Sequence, residues 1–248
     1  MMTEGISFSE AKTPEGMRVY AIGDIHGRFD LLDQMHERIV AEIDRDKPTD
    51  WRIVYLGDYV DRGPDSNGVL ELLSTQTQAD PRIIALGGNH DAGMLSFLKR
   101  PRGDGLFALY GGDATARSYG VELRLEPKEE LLASAARLEE AIPEKHLEFL
   151  RNLPASASFG ELFFCHAGVR PGVPLEEQKR EDLMWIRNEF HDHFELYPKL
   201  IVHGHTPRLA PEIRPNRVNL DTGAVKFGVL SCMRFEETRK DLIRVSGS

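Results

Sequence analysis

Only two cysteines, Cys165 and Cys232, occur in 248 residues, and both sit inside apolar runs. That excludes a disulfide-stapled scaffold and points to reduced, buried thiols. Long apolar runs are missing as well: no stretch approaches the roughly 18 residues needed to span a bilayer. The start, Met1-Met2-Thr3-Glu4-Gly5, has neither the basic patch nor the apolar core of a secretory leader. Basic runs are also absent and the net charge is -9, so the electrostatic footprint of a nucleic-acid binder is lacking. These shortages predict a cytoplasmic protein with no nucleic-acid and no membrane partner. What is present, 41% hydrophobic and 8% aromatic residues, is ordinary for a globular chain. The length suits one large α/β domain. If such an acidic chain handles an anion it needs a local positive source, and bound cations are the natural one.

Residues 1–16 are polar and irregular and read as a flexible tail, with a single domain over 17–248. From there a strand, loop and helix rhythm comes three times. Strands are expected at Arg18 to Ile22, Ile53 to Leu56 and Ile83 to Leu86, each followed by apolar residues at helical spacing, such as Leu31, Met35 and Ile39. This βαβαβ pattern favours a parallel sheet. The block from about 101 to 154 differs: Leu131 to Ile142 and Glu144 to Leu153 read as helices, with Pro143 between them, and the block is too short to close a core of its own. It reads as a helical insertion. Further strands are expected at Leu162 to Cys165, Leu200 to Val202, Val218 to Leu220 and Val229 to Phe235, the last pairing with Leu242 to Val245.

Polar motifs sit where these strands end: Gly23-Asp24-Ile25-His26-Gly27, Gly57-Asp58-Tyr59-Val60-Asp61-Arg62-Gly63, Gly88-Asn89-His90-Asp91, Cys165-His166-Ala167-Gly168 and His203-Gly204-His205-Thr206. Carboxyl ends of strands in open α/β sheets are where ligands bind, and the glycines permit the sharp turns that let polar side chains converge. Asp, His and Asn offer hard oxygen and imidazole donors, suited to Mn²⁺, Fe or Zn²⁺ rather than to thiolate-seeking metals. Five segments can fill two sites, and two nearby cations can clamp a phosphoryl group.

With these motifs in this order, the chain resembles the PPP family of metallophosphatases, in particular its bacterial and bacteriophage members, from Asp24 to Ala224. The resemblance implies an αββα two-sheet sandwich with a dimetal site at the edge between the sheets. It implies one divalent ion, Mn²⁺ in the first instance, held by Asp24, His26 and Asp58, and a second held by Asp58, Asn89, His166 and His205, with Asp58 shared. It further implies a water between the ions as nucleophile, His90 as proton donor oriented by Asp61, and Arg62 and Arg187, with Asn89, on the phosphate. Two departures stand out: Gly87 where many members have Arg, and Asp91 where many have Glu. In His203-Gly204-His205, strand alternation would point both rings to one side, yet the family pattern uses only the histidine before Thr206. His191 and His193 lie in a charged run and read as a solvated face.

The expected reaction is hydrolysis of phosphate monoesters, with a Ser/Thr phosphoprotein as first substrate. Asp61, Gly204-His205-Thr206-Pro207 and Asp221-Thr222-Gly223-Ala224 favour it. A bis(5'-nucleosyl)-tetraphosphatase is the alternative, suggested by Arg62-Gly63-Pro64 and Gly88-Asn89-His90-Asp91. A catalytically silent scaffold on the same fold is a third reading, disfavoured because no ligand position is lost. A phosphodiesterase branch is set low because Pro207 stands where a second histidine would follow.

Overall fold

The structure, a computed structural model, describes residues 5–247. Along the chain run β1 (Met17–Ile22), α1 (Phe29–Asp46), β2 (Asp50–Tyr55), α2 (Ser66–Ala79), β3 (Ile83–Ala85) and α3 (Asn89–Lys99). The helices α4 (Leu106–Leu109), α5 (Gly112–Ser118), α6 (Lys128–Ala141) and α7 (Glu144–Arg151) follow, then β4 (Ser156–Phe159) and β5 (Leu162–Cys165). The last part holds α8 (Arg180–Trp185), α9 (Asn188–His191), β6 (Leu200–His203), β7 (Glu212–Ile213), β8 (Arg217–Asn219), α10 (Ala224–Phe227), β9 (Val229–Glu236) and β10 (Arg239–Ser246). Among the described residues, no helix is long and apolar enough to cross a membrane.

Strand alternation builds the layers. In β1 and β2, Val19, Ala21 and Val54 face one way while Tyr20, Ile22, Ile53 and Tyr55 face the other, because successive side chains leave opposite faces of a strand. The second set packs on α1, α2 and the helices of the insertion; the first meets Leu162, Phe164, Leu200, Val202 and Val218 of a second sheet. On that sheet's far side, Phe163, Cys165 and Ile201 pack against Leu183, Ile186 and Phe190 of the α8–α9 region. The result is the αββα sandwich. One sheet is ordered β10-β9-β1-β2-β3 and the other β4-β5-β6-β8-β7. β1, β2 and β3 pair in parallel, as the βαβαβ rhythm predicts, and β9 joins β1 antiparallel. Cys165 and Cys232 are buried and unbridged.

The segment expected to be a flexible tail differs in its described part. Ile6 and Phe8 donate backbone N–H bonds of 2.8 and 2.7 Å to the carbonyls of Tyr197 and Pro215. Ala11 is fully buried in the core between the sheets, and Thr13 Oγ1 accepts the Glu237 N–H at 2.8 Å. Its backbone polar groups are satisfied by distant strands and loops, which no local pattern discloses. Residues 1–4 lie outside the described part.

Candidate active site

The site forms where β1, β2, β5 and β6 end, together with the first turn of α3. Five of the seven non-glycine residues with positive φ among those described belong to it: His26 at 48°, Asp58 at 56°, Asp61 at 71°, Arg62 at 70° and His205 at 68°. Left-handed backbone at such residues costs on the order of 1–3 kcal/mol each and clusters at functional sites. Close approach does the rest. A Cβ on Gly88 would fall 2.2 Å from the Asp58 N and Oδ1, and one on Gly204 would fall 2.0 Å from Asp24 Oδ1. Both positions therefore require glycine.

Two groups of donors converge, each with its atoms within 4.8 Å of one another: His26, Asp58 and His90, and Asp58, His166 and His205. Asp58 belongs to both, as the resemblance implied; its Oδ2 lies 3.5 Å from His26 Nε2 and 3.4 Å from His166 Nε2. Asn89 Oδ1 sits 2.9 Å from His166 Nε2 and 2.8 Å from His205 Nδ1. Asp24, expected in the first group, lies outside both and accepts the His205 backbone N–H at 3.0 Å. His90 stands beside His26, with the rings edge to face and their centroids 4.7 Å apart.

The donor set fits cations. His26 and His166 face the Val60 and Leu56 carbonyls through Nδ1, at 2.7 and 2.9 Å, which places the proton on Nδ1 and leaves the Nε2 lone pairs to converge. Burial holds His26 down to about 3 and His205 down to about 2, so both rings are neutral donors. Burial opposes a charge on His166 too, but Asp58 and Asp24 outweigh it and raise that ring to about 10. Burial likewise opposes ionisation of Asp58, yet His166, His90 and His26 hold its carboxyl well below the usual range. The potential at this point favours a positive charge, and a divalent cation answers it better than a proton.

His90 and Asp61 form the pair expected of them. His90 Nδ1 stands 2.6 Å from Asp61 Oδ2, and burial lifts Asp61 to about 6. Arg62 is exposed and spreads its fork over two rings, Nη1 at 2.8 Å from His26 Nε2 and Nη2 at 2.7 Å from His90 Nε2. Arg187 is exposed as well, and its charge is one of those that depress His205.

Three features escape sequence reading. Thr115, from α5 of the insertion, donates to Asp61 Oδ1 at 3.1 Å and accepts the Asp61 N–H at 2.8 Å. Asp91 accepts three backbone N–H bonds at 2.9 Å, from Gly88, Asp58 and Tyr59, and so ties the Asp58 loop to the start of α3. Asp221 is buried and raised to about 6, first by burial, and its charge is felt at Asp24. Beside Gly87, the position where an arginine was expected, the Arg180 guanidinium from α8 fills the space, 3.0 Å from where a Cβ would stand. His203 corrects the expected alternation. β6 ends at His203, which follows Ile201 outward against Phe190, while His205 lies past the strand in left-handed backbone and turns to the site. His191 is not a solvated side chain either: it is half-buried, with Nε2 3.1 Å from Thr206 Oγ1.

Converging imidazoles and a shared carboxylate with an arginine alongside, at the strand ends of an αββα sandwich, define a metal-dependent phosphoesterase. The sequence matches the calcineurin-like phosphoesterase family over residues 17–242, and the chain belongs to that family. It is similar to the bis(5'-nucleosyl)-tetraphosphatase PrpE (asymmetrical) of Anoxybacillus flavithermus, 25% identical over 236 residues, 87% of this chain and 89% of that one. The protein of the same name from Halalkalibacterium halodurans is 28% identical over 240 residues, 89% and 91% of the two chains. Among solved structures, a candidate diadenosine tetraphosphatase matches with a TM-score of 0.67 at 23% identity, over 96% of this chain and 99% of that one. A protein serine/threonine phosphatase from Saccharomyces cerevisiae matches at 0.54 and 12% identity, over 97% and 86%. These two likenesses speak to the fold.

Proposed function

We propose that this chain hydrolyses the polyphosphate bridge of dinucleoside polyphosphates. The observation that carries the choice over other phosphoesters is the likeness, along about nine-tenths of both chains, to relatives named bis(5'-nucleosyl)-tetraphosphatase. Divalent cations, Mn²⁺ first among them, seated among Asp24, His26, Asp58, Asn89, His166 and His205 would neutralise phosphate charge and acidify a water. The protein's own groups do the remainder. The fork of Arg62, aimed over His26 and His90, suits two oxygens of one phosphoryl group, and Arg187 meets the chain of phosphates from the open side. As the P–O bond to the departing nucleotide breaks, His90, with Nδ1 held by Asp61, would protonate the leaving oxygen through Nε2 once the Arg62 guanidinium has moved from that nitrogen to the phosphate oxygens.

Hydrolysis of phosphomonoesters, including phosphoserine and phosphothreonine, is the second reading, and the 2.6 Å contact between His90 and Asp61 favours it. A nucleotide leaves as a stable anion; an alkoxide needs the proton that this pair is built to deliver. Assays of metal-loaded protein on diadenosine tetraphosphate, a phosphoserine peptide and p-nitrophenyl phosphate separate the two. We expect the highest kcat/KM on diadenosine tetraphosphate, and the reverse ranking would make the monoesterase reading the better one. Full turnover after thorough metal stripping would reject both.

A further inference from the structure

Trp185 is 43% exposed, although it closes a helix whose neighbours Leu183 and Met184 are buried. The next residue, Ile186, is extended and buried, and Arg187 is exposed again. Trp185 and Arg187 consequently line one cleft of about 620 Å³, together with Lys179. The indole also borders a second cleft of about 310 Å³, lined by Ala92, Gly93 and Arg100 among others. Two features tie these clefts to the candidate active site. Ala92 and Gly93 lie in the α3 turn that begins with Asn89 and His90, and the charge of Arg187 is felt at His205.

The charges in the larger cleft are unequal in availability. Asp182 and Glu189 are already paired with Arg170, at 2.6 and 3.0 Å, whereas Lys179, Arg187 and the exposed Glu181 form no ion pair among the described residues, which leaves two free cations against one free carboxylate. An accessible π-face flanked by uncommitted cations complements a ligand with a flat aromatic base at one end and phosphates at the other. Bases stack on aromatic side chains regardless of their identity, because every base has a π-face. The other tryptophan, Trp51, is covered by the guanidinium of Arg82 at 3.9 Å from its ring centre.

We propose that Trp185 is the stacking platform for a nucleobase of the substrate, with the phosphates running past Arg187 toward the converged His and Asp side chains. This subsite rests on the nucleotide reading above. It makes Trp185 a specificity-determining residue, since stacking on one aromatic is worth on the order of tenfold in binding or more.

The direct test is tryptophan fluorescence in a Trp51→Phe protein, whose remaining indole is Trp185, with the difference between wild type and Trp185→Phe as a parallel readout. AMP is expected to quench saturably and ribose 5-phosphate not to, because only the former carries a base. Absence of AMP quenching in both readouts would overturn the subsite. Kinetically, Trp185→Ala should lower kcat/KM on diadenosine tetraphosphate about tenfold more than on a phosphoserine peptide, chiefly through KM, and Trp185→Phe should recover most of the difference. Equal losses on both substrates would also overturn it. If diadenosine tetraphosphate is not cleaved at all, the nucleotide reading falls on that result, and the AMP titration still decides the subsite.

Discussion

The imidazole of His90 has both nitrogens engaged, Nδ1 by Asp61 and Nε2 by Arg62. Replacing it with Asn should remove proton delivery and leave phosphate binding by Arg62 largely in place. A positioned acid contributes about 10²- to 10⁴-fold where the leaving group needs a proton. His90→Asn is therefore expected to slow a phosphoserine peptide by that order, p-nitrophenyl phosphate by much less, with KM little moved. Asp61→Asn should give a milder form of the same pattern. Equal losses on the two substrates would mean that His90, which stands beside His26 and Asp58, is a ligand instead. Asp58 is the one carboxylate common to both donor groups. Asp58→Asn should lower the bound metal measured by elemental analysis below that of wild type, and Asp24→Asn should lower it less. Undiminished metal in the Asp58 variant would reject the shared role.

At the scale of elements, the site depends on how closely the start of α3 approaches the Asp58 loop. Asp91 links the two through three N–H bonds, and Gly88 has no room for a side chain. Gly88→Ala must push the loop and helix apart, and overpacking of this kind costs about 1–3 kcal/mol. We expect urea unfolding to show that loss together with reduced metal content, whereas Gly120→Ala, where a Cβ meets nothing within 4 Å but φ is +76°, should lose some stability without losing metal. Normal metal content in Gly88→Ala would show that the approach is not needed. The insertion takes part in the same way: α5 brings Thr115 to Asp61, and the Gly111 carbonyl accepts the Arg62 N–H at 3.0 Å. It thus braces the loop that carries Asp61 and Arg62.

For the molecule as a whole, the helix and sheet layers are joined by buried polar contacts remote from the site. His36 on α1 hydrogen-bonds Tyr55 of β2 and, at 3.2 Å, Gln76 of α2. Burial lowers this ring to about 4, below the value near 6.5 of an unfolded chain. With the folded pKa depressed, its contribution is fully present above about pH 6.5 and is lost as pH falls through 4. The loss amounts to at most about 3 to 4 kcal/mol. His36→Gln should flatten the decline in unfolding free energy between pH 6.5 and 4, read from urea curves at several pH values. A variant with the wild-type slope would assign the acid sensitivity to other groups.

Local structure and the chemistry of the donors follow from the order of the residues alone. Short apolar runs at β1, β2 and β5, helical spacing in α1, and Asp, His and Asn near glycines at strand ends were all legible, because each is a property of a few neighbouring residues. What those residues face depends on the folded chain. It set Ala11 into the core between the sheets and paired β9 with β1, contacts between parts of the chain that no periodicity connects. It separated His203 from His205, since alternation holds only within a strand and β6 stops at His203. It brought Thr115 to Asp61, His90 to His26 and an indole to the shared wall of two clefts. The physical reason is the same in each case. Strand register and left-handed turns fix the directions of side chains whose sequence separation carries no information about their distance.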